Sequence, residues 1–119
     1  MKSINIKEKF DLISEYYSPK IIAELNSQQV KIAKLKGEFI RHNHIEEDEL
    51  FYVLKGKLKI EFDDKTVILN EGEMIVIPKK IFHKPIAEEE VWLMLFEPAS
   101  ALNTGNIINE KTVKNPEKI

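Results

Sequence analysis

Residues 37–56 read GEFIRHNHIEEDELFYVLKG, and this stretch carries both the fold signal and the chemistry. Its second half, Glu49 to Leu54 (ELFYVL), is apolar on both faces, as a strand buried on two sides requires, and Lys55-Gly56 breaks it. Its first half holds His42 and His44, two of the three histidines in the chain. On extended backbone alternate side chains share a face, so the two imidazoles point the same way. Arg41 and Asn43 then point to the opposite face. An acidic run, Glu46 to Glu49, follows at once. A turn through it lets Glu49, opening the next strand, hang beside the histidines. Glu46, two residues after His44, is the rival carboxylate if the backbone stays extended. Glu47 and Asp48 read as solvated.

Working outward, short strands alternate with glycine and acidic turns. Gln28 to Leu35 carries Val30, Ile32 and Ala33 among lysines. Lys57 to Phe62 (KLKIEF) has period two, with Leu58, Ile60 and Phe62 inward and Lys57, Lys59 and Glu61 toward water. Asp63-Asp64 leads into a strand over Thr66 to Leu69, and Asn70-Glu71-Gly72 into another over Glu73 to Ile77. Val91 to Phe96 is the last strand. Many short strands at this spacing predict an all-β sandwich or barrel. At the flanks, Lys7 to Tyr17 reads as a short helix stopped by Pro19, and Ile21 to Leu25 as an added edge strand. After Pro98 the chain turns polar, Asn103 to Asn106 reads as a turn, and Glu110 to Ile119 as a frayed tail.

At 119 residues there is room for one domain, with the barrel over about residues 20–98 and a polar tail over about 107–119. Hydrophobic residues make up 43% and charged residues 32%, a composition that folds rather than one that stays disordered. Eighteen basic and 20 acidic side chains, well interspersed, leave a net charge of -2. That balance gives no electrostatic reason to expect nucleic acid or an anionic membrane as partner. With no cysteine, neither a disulfide framework nor a thiolate metal site is possible. Met1 to Phe10 alternates charged and apolar residues unlike a signal peptide, and Val91 to Phe96 is far too short to span a bilayer. The expected location is the cytoplasm.

The third histidine, His83, lies 34 residues beyond Glu49, just after the strand ending at Ile77-Pro78. A barrel brings it across to complete a site of three imidazole nitrogens and one carboxylate oxygen. That mixture suits a borderline divalent ion such as zinc, iron, manganese, nickel or copper. The imidazoles must be neutral to bind, so occupancy is expected to weaken as pH falls towards about 6.5.

The spacing G-x4-H-x-H-x4-E-x6-G, filled by Gly37, His42, His44, Glu49 and Gly56, closely resembles the first motif of the cupin family, with one residue fewer after the first glycine. G-x5-P-x4-H, filled by Gly72, Pro78 and His83, resembles the second. Fifteen residues separate the motifs, as in compact bacterial cupins. The resemblance covers Gly37 to about Glu97, half the chain. It implies a double-stranded β-helix, or jelly-roll barrel, with one divalent metal ion inside. His42, His44, Glu49 and His83 match the family's ligand positions. Two residues depart from the second motif: Lys80 stands where glycine is usual and Ala87 where asparagine is common. A lysine forced into a left-handed turn costs roughly 1 kcal/mol, or the loop takes another course.

If Glu49 points inward, period two puts Phe51 and Val53 beside it, and Ile40 shares the face of His42. Trp92, Met94 and Phe96 form a large-side-chain stripe on the last strand. Together with Phe82 these are the expected pocket walls; Tyr52 is ambiguous. Arg41 goes outward, and Lys79, Lys80 and Lys84 read as a solvated lysine loop. The resemblance implies either a metal-dependent enzyme acting on a small organic molecule, of oxygenase or isomerase type, or a non-catalytic domain that binds or senses a small ligand or sugar. No catalytic residue beyond the ligands stands out. Cupins commonly pair through N-terminal strands, so a homodimer through Ile21 to Lys36 is expected.

Overall fold

A computed structural model describes all of residues 1–119. One helix, α1 (Ile6–Asp11), precedes seven strands: β1 (Lys20–Leu25), β2 (Gln28–Glu38), β3 (Glu49–Lys55), β4 (Leu58–Phe62), β5 (Thr66–Leu69), β6 (Met74–Ile77) and β7 (His83–Pro98). The strands run in the order β1-β2-β7-β3-β6, with β4 joining β5 to β7, and every strand pairing is antiparallel. The expected all-β barrel is the architecture observed.

β7 makes the barrel turn its corner. It is 16 residues long, where the sequence predicted only Val91 to Phe96. Its first part pairs with β4, Phe62 opposite His83 and Lys59 opposite Ile86, and its second part pairs with β3. β2 flanks both parts, but its register jumps from Leu35 opposite Val91 to Gly37 opposite Ala87. The residues skipped, Glu88 to Glu90, lie on the outside of the bend, and their charge hid the strand from a hydrophobic reading. Gly56 backs onto this bend: a Cβ there would lie 2.6 Å from the Glu90 carbonyl oxygen, so only glycine fits.

The interior is a single cluster of twelve buried residues, among them Leu35, Phe51, Val53, Leu58, Ile60, Leu69, Ile77, Val91 and Leu93. Each large side chain taken fully out of water in this way contributes about 1.5–3 kcal/mol. Leu58 and Ile60 face in as their period-two pattern predicts. Outside the barrel, Phe10 and Ile13 cover Ile32, with Ile22, Leu54, Trp92 and Met94 packed around them. Phe10 stacks on Trp92 with ring centroids 4.7 Å apart.

Both flanks differ from the sequence reading. α1 is capped by Asn5, whose side chain accepts from the Glu8 amide, and it ends at Asp11 instead of reaching Tyr17. Beyond it the backbone leaves the helix to pair with β2, Tyr17 N donating to the Lys34 carbonyl. Sheet pairing there overrides the marginal propensity of a single helical turn or two. The tail is not frayed. Ile21 N donates to the Glu117 carbonyl and Ile119 N to the Ile21 carbonyl, so the chain end covers part of the β1 edge. Between β1 and β2, Asn26 and Ser27 both take positive φ, the two-residue turn that matches strand twist. No helix is long and apolar enough to cross a membrane.

Candidate metal centre

His42 and His83 are clipped together by backbone. His42 N donates to the His83 carbonyl at 3.0 Å and His83 N to the His42 carbonyl at 2.8 Å. Residues 39–48 otherwise form no strand, yet their extended course carries His42 and His44 to the same side, where both are buried. Glu49 opens β3 and also points inward. One donor atom from each of His42, His44, Glu49 and His83 lies within 4.8 Å of the others. All four residues predicted to converge therefore do so, two from a loop and two from the starts of β3 and β7.

The hydrogen bonds around the imidazoles decide which nitrogens face the centre. His42 Nδ1 lies 2.9 Å from the Ile40 carbonyl oxygen, and His83 Nδ1 lies 2.9 Å from the Ile81 carbonyl oxygen. A carbonyl only accepts, so each Nδ1 carries the proton and each Nε2 presents a lone pair. Glu49 Oε1 sits 3.3 Å from His44 Nε2 and 3.4 Å from His83 Nε2. Those contacts are long and close no hydrogen bond: both nitrogens of His44, Nε2 of His83 and Oε1 of Glu49 have no partner. Orphaned buried polar atoms are costly, and three of these, His44 Nε2, His83 Nε2 and Glu49 Oε1, converge beside His42 in a way that fits a divalent cation. Three imidazole nitrogens and one carboxylate oxygen suit a borderline ion.

Burial, and then the neighbouring His83, push the His42 imidazole down to about 4. Burial also opposes charge on His44, but Glu49 and Glu47 outweigh it and raise His44 above its ordinary value. Glu49 is held well below the usual carboxylate range despite complete burial, because the neighbouring Glu97, His44 and His83 favour its charged form. Glu97 is driven well above that range by burial and by the charge on Glu49, with Lys31 offsetting part of the effect. The folded chain thus keeps His42 neutral and Glu49 anionic, the forms that bind metal.

A cavity of about 40 Å³ adjoins the centre, with His42 and Glu49 in its wall. It holds no more than a few water-sized groups. Apolar walls come from Leu35, Phe39, Phe51, Leu93 and Leu95, while Tyr17, Pro19 and Asn103 contribute from the flanks. Of the expected walls, Phe51 is present. Val53 is buried deeper in the core, and Ile40 is displaced by Phe39, one position along, because residues 39–41 are not a regular strand. Trp92, Met94 and Phe96 occupy the outward face of β7; the inward face belongs to Val91, Leu93, Leu95 and Glu97. Phe82 lies outside the cavity beneath the Arg41 guanidinium, 4.1 Å from it. Tyr52 is also outside.

The remaining candidates fall into place. Arg41 pairs with Asp63 at 2.7 Å on the surface, as its outward direction predicts. Glu46 is exposed and outside the four-residue cluster. Asp48 and Glu47 are more than solvated acids. Asp48 accepts from the Lys79 amide at 2.8 Å, and Glu47 accepts from the Ser100 hydroxyl at 2.8 Å. Lys80 does adopt the left-handed conformation, with φ of 72°. Its amide donates to the His44 carbonyl, and its own carbonyl accepts from the Asn43 side chain. The strained residue thereby ties the His83 loop to the His42–His44 segment. Lys84 pairs with Glu38.

Sequence reasoning passed over Lys31 and Glu97. Both are 2% exposed. Lys31 Nζ donates to Glu97 Oε1 at 2.8 Å and to the Ala101 carbonyl at 3.2 Å. The signal was there in period two, since Lys31 shares parity with Ala33 and Leu35, and Glu97 with Leu93 and Leu95. Gly105 also went without a role: a Cβ there would lie 2.1 Å from the Asn43 carbonyl oxygen and 3.1 Å from His42 Cδ2.

Comparison with known proteins agrees with this fold. A family model described as Cupin domain matches residues 29–97. A crystal structure of a cupin-2 domain containing protein from Shewanella frigidimarina NCIMB 400 is 47% identical, covers 80% of this chain and 93% of its own, and gives a TM-score of 0.79. The uncharacterized protein YdbB of Bacillus subtilis (strain 168) is 38% identical over 73 residues, 60% of this chain and 65% of that protein. A 3-hydroxyanthranilate 3,4-dioxygenase from Xenopus laevis is 31% identical over 102 residues, 80% of this chain and 36% of the dioxygenase. The chain thus spans just under two-thirds of the length of YdbB and about a third of that of the dioxygenase.

Proposed function

The chain belongs to the cupin family, and from that premise we propose that it holds one divalent metal ion on His42, His44, Glu49 and His83 and is a metal-dependent enzyme acting on a small organic molecule. The observation that carries this reading is the convergence of four buried donor residues, three of which, His44, Glu49 and His83, present atoms with no partner within the protein. The similarity to a dioxygenase over 80% of the chain favours oxygenase chemistry over isomerisation. Zinc, iron, manganese and nickel all suit the donor set, and iron is the one that fits oxygenase chemistry.

When bound, the ion would act as a Lewis acid and, if ferrous, would support reactions with dioxygen. The protein's own part is to hold and to exclude. The carbonyls of Ile40 and Ile81 fix the tautomers of His42 and His83, leaving Nε2 free on each. Leu35, Phe39, Phe51, Leu93 and Leu95 keep the cavity apolar, which strengthens electrostatic contacts inside it. Asn103, also on the cavity wall, donates to the Lys111 carbonyl and accepts from the Val113 amide, which ties the C-terminal segment to the cavity.

The test is dioxygen consumption by protein loaded with ferrous iron, screened over small aromatic and aliphatic substrates. Turnover above the rate of a His83→Ala control supports the enzyme. Equal rates across the screen count against it. The narrowness of the cavity favours a second reading, a non-catalytic domain that binds a small ligand or sugar at the ion. Saturable ligand binding with no turnover would mark that outcome. We also propose a homodimer through residues 21–36; a sedimentation mass of 13.9 kDa at micromolar concentration would refute it.

A further inference from the structure

Lys31 and Glu97 are charged residues on the inner face of the barrel, among side chains that are otherwise apolar or in the metal centre. β7 lies between β2 and β3. Leu50 pairs with Phe96, so Glu49 falls beside Glu97 one residue further along; Lys31 pairs with Leu95, a diagonal step from Glu97 on the other side. The three side chains therefore form a row across three adjacent strands. Lys31 fixes one end of Glu97 through Oε1 and is itself held by the Ala101 carbonyl. The other oxygen, Glu97 Oε2, is fully buried and has no donor. The residue beside Glu97 across the β3–β7 pairing is Glu49, one step on from Leu50 opposite Phe96.

A buried ion pair is a poor source of stability. Desolvation costs several kcal/mol per ion, and apolar residues of similar volume often serve as well or better. The row has a different use. Glu49 reaches the centre from the first position of its strand, where backbone alone leaves the carboxylate free to rotate. We propose that Lys31 and Glu97 are positioning residues, a buried strut that aims the Glu49 carboxylate at the three imidazoles. The inference rests on the metal-binding reading above. It assigns Lys31 and Glu97 to support of the ligand, not to contact with the ion.

The experiment is titration of the metal-free, full-length protein with Co²⁺, read by affinity and by the visible absorption of the bound ion, beside thermal unfolding of the same metal-free samples. The double variant Lys31→Met/Glu97→Leu is expected to keep the unfolding midpoint of the wild type while losing roughly 10–100-fold in Co²⁺ affinity, the usual effect of removing a ligand's support. Glu97→Gln can still accept from Lys31 and donate to Glu49. It is expected to retain wild-type affinity within about threefold and the wild-type spectrum. A double variant with wild-type affinity and spectrum overturns the proposal and reduces the pair to a structural one. So does a Glu97→Gln protein that is folded but binds about tenfold or more weakly. Wild-type protein that takes up no Co²⁺ overturns the metal-binding reading itself, a failure distinct from either of these.

Discussion

The two ends of the barrel interior are built on opposite terms. At one end Val53, Leu58, Ile60, Ala87 and Val91 are packed with no polar atom among their side chains. At the other, His42, His44, Glu49, His83, Lys31 and Glu97 are just as buried, each 2% exposed or less. Burial at the first end removes apolar surface from water and stabilises the fold. Burial at the second strips polar groups of water and leaves several without partners, which opposes folding. One end thus supplies the stability that the other consumes, and the expense is concentrated where a cation would be bound. Substitutions at the two ends should separate stability from metal binding.

The largest expected effect is at the apolar end. Ile60→Ala, at a fully buried position, should cost about 3 kcal/mol in urea unfolding, while the protein that remains folded keeps its metal stoichiometry. A variant that also loses the metal would show that the two ends are not separable. Next comes Gly105→Ala. Its new Cβ would meet the Asn43 carbonyl and the His42 ring, forcing the ligand segment to shift. Metal affinity should fall about 100-fold, roughly 2.7 kcal/mol, measured by competition with a chelator. An affinity close to wild type would mean that this segment adjusts freely.

Trp92→Ala sharpens the comparison from outside. Trp92 lies on the outward face of β7, stacked on Phe10, with its indole N–H donating to Glu90 at 3.0 Å. Its loss should cost about 2 kcal/mol of stability, less than a full cavity because the residue is only partly buried, with metal affinity unchanged. A drop in affinity would return Trp92 to the pocket, where its size suggested it belonged.

That residue also shows what the sequence made legible. The four candidate ligands were readable because two motifs fix their spacing and because all three histidines fall on those motifs. Which face of β7 points inward was not readable. Val91, Leu93 and Leu95 alternate with Trp92, Met94 and Phe96, both faces are apolar, and covering of Trp92 and Met94 by α1 decides between them. Residues 83–90 hid as strand behind Pro85 and three glutamates at the bend. The pinned tail depends on backbone pairing with β1, which leaves no mark on side-chain pattern.

The smallest effect is that of pH on the metal-free protein. Because burial and His83 depress His42 to about 4 from 6.5, the unfolded chain takes up a proton between those values that the folded chain refuses. This share of stability is complete above pH 6.5 and is lost as pH falls to 4. His44, raised above its ordinary value, contributes in the opposite sense and loses its share as pH rises. Urea midpoints at pH 7 and pH 5 should therefore differ more in wild type than in His42→Gln. Equal differences would show that His42 does not carry this dependence.

The central claim is that the polar end exists to hold an ion, and elemental analysis of protein purified without a histidine tag tests it most directly. One divalent transition-metal ion per chain is expected in wild type, with none in His44→Ala or His83→Ala proteins that remain folded. Wild-type protein that is metal-free as purified, and that takes up no zinc, iron, manganese or nickel when each is supplied, would contradict it.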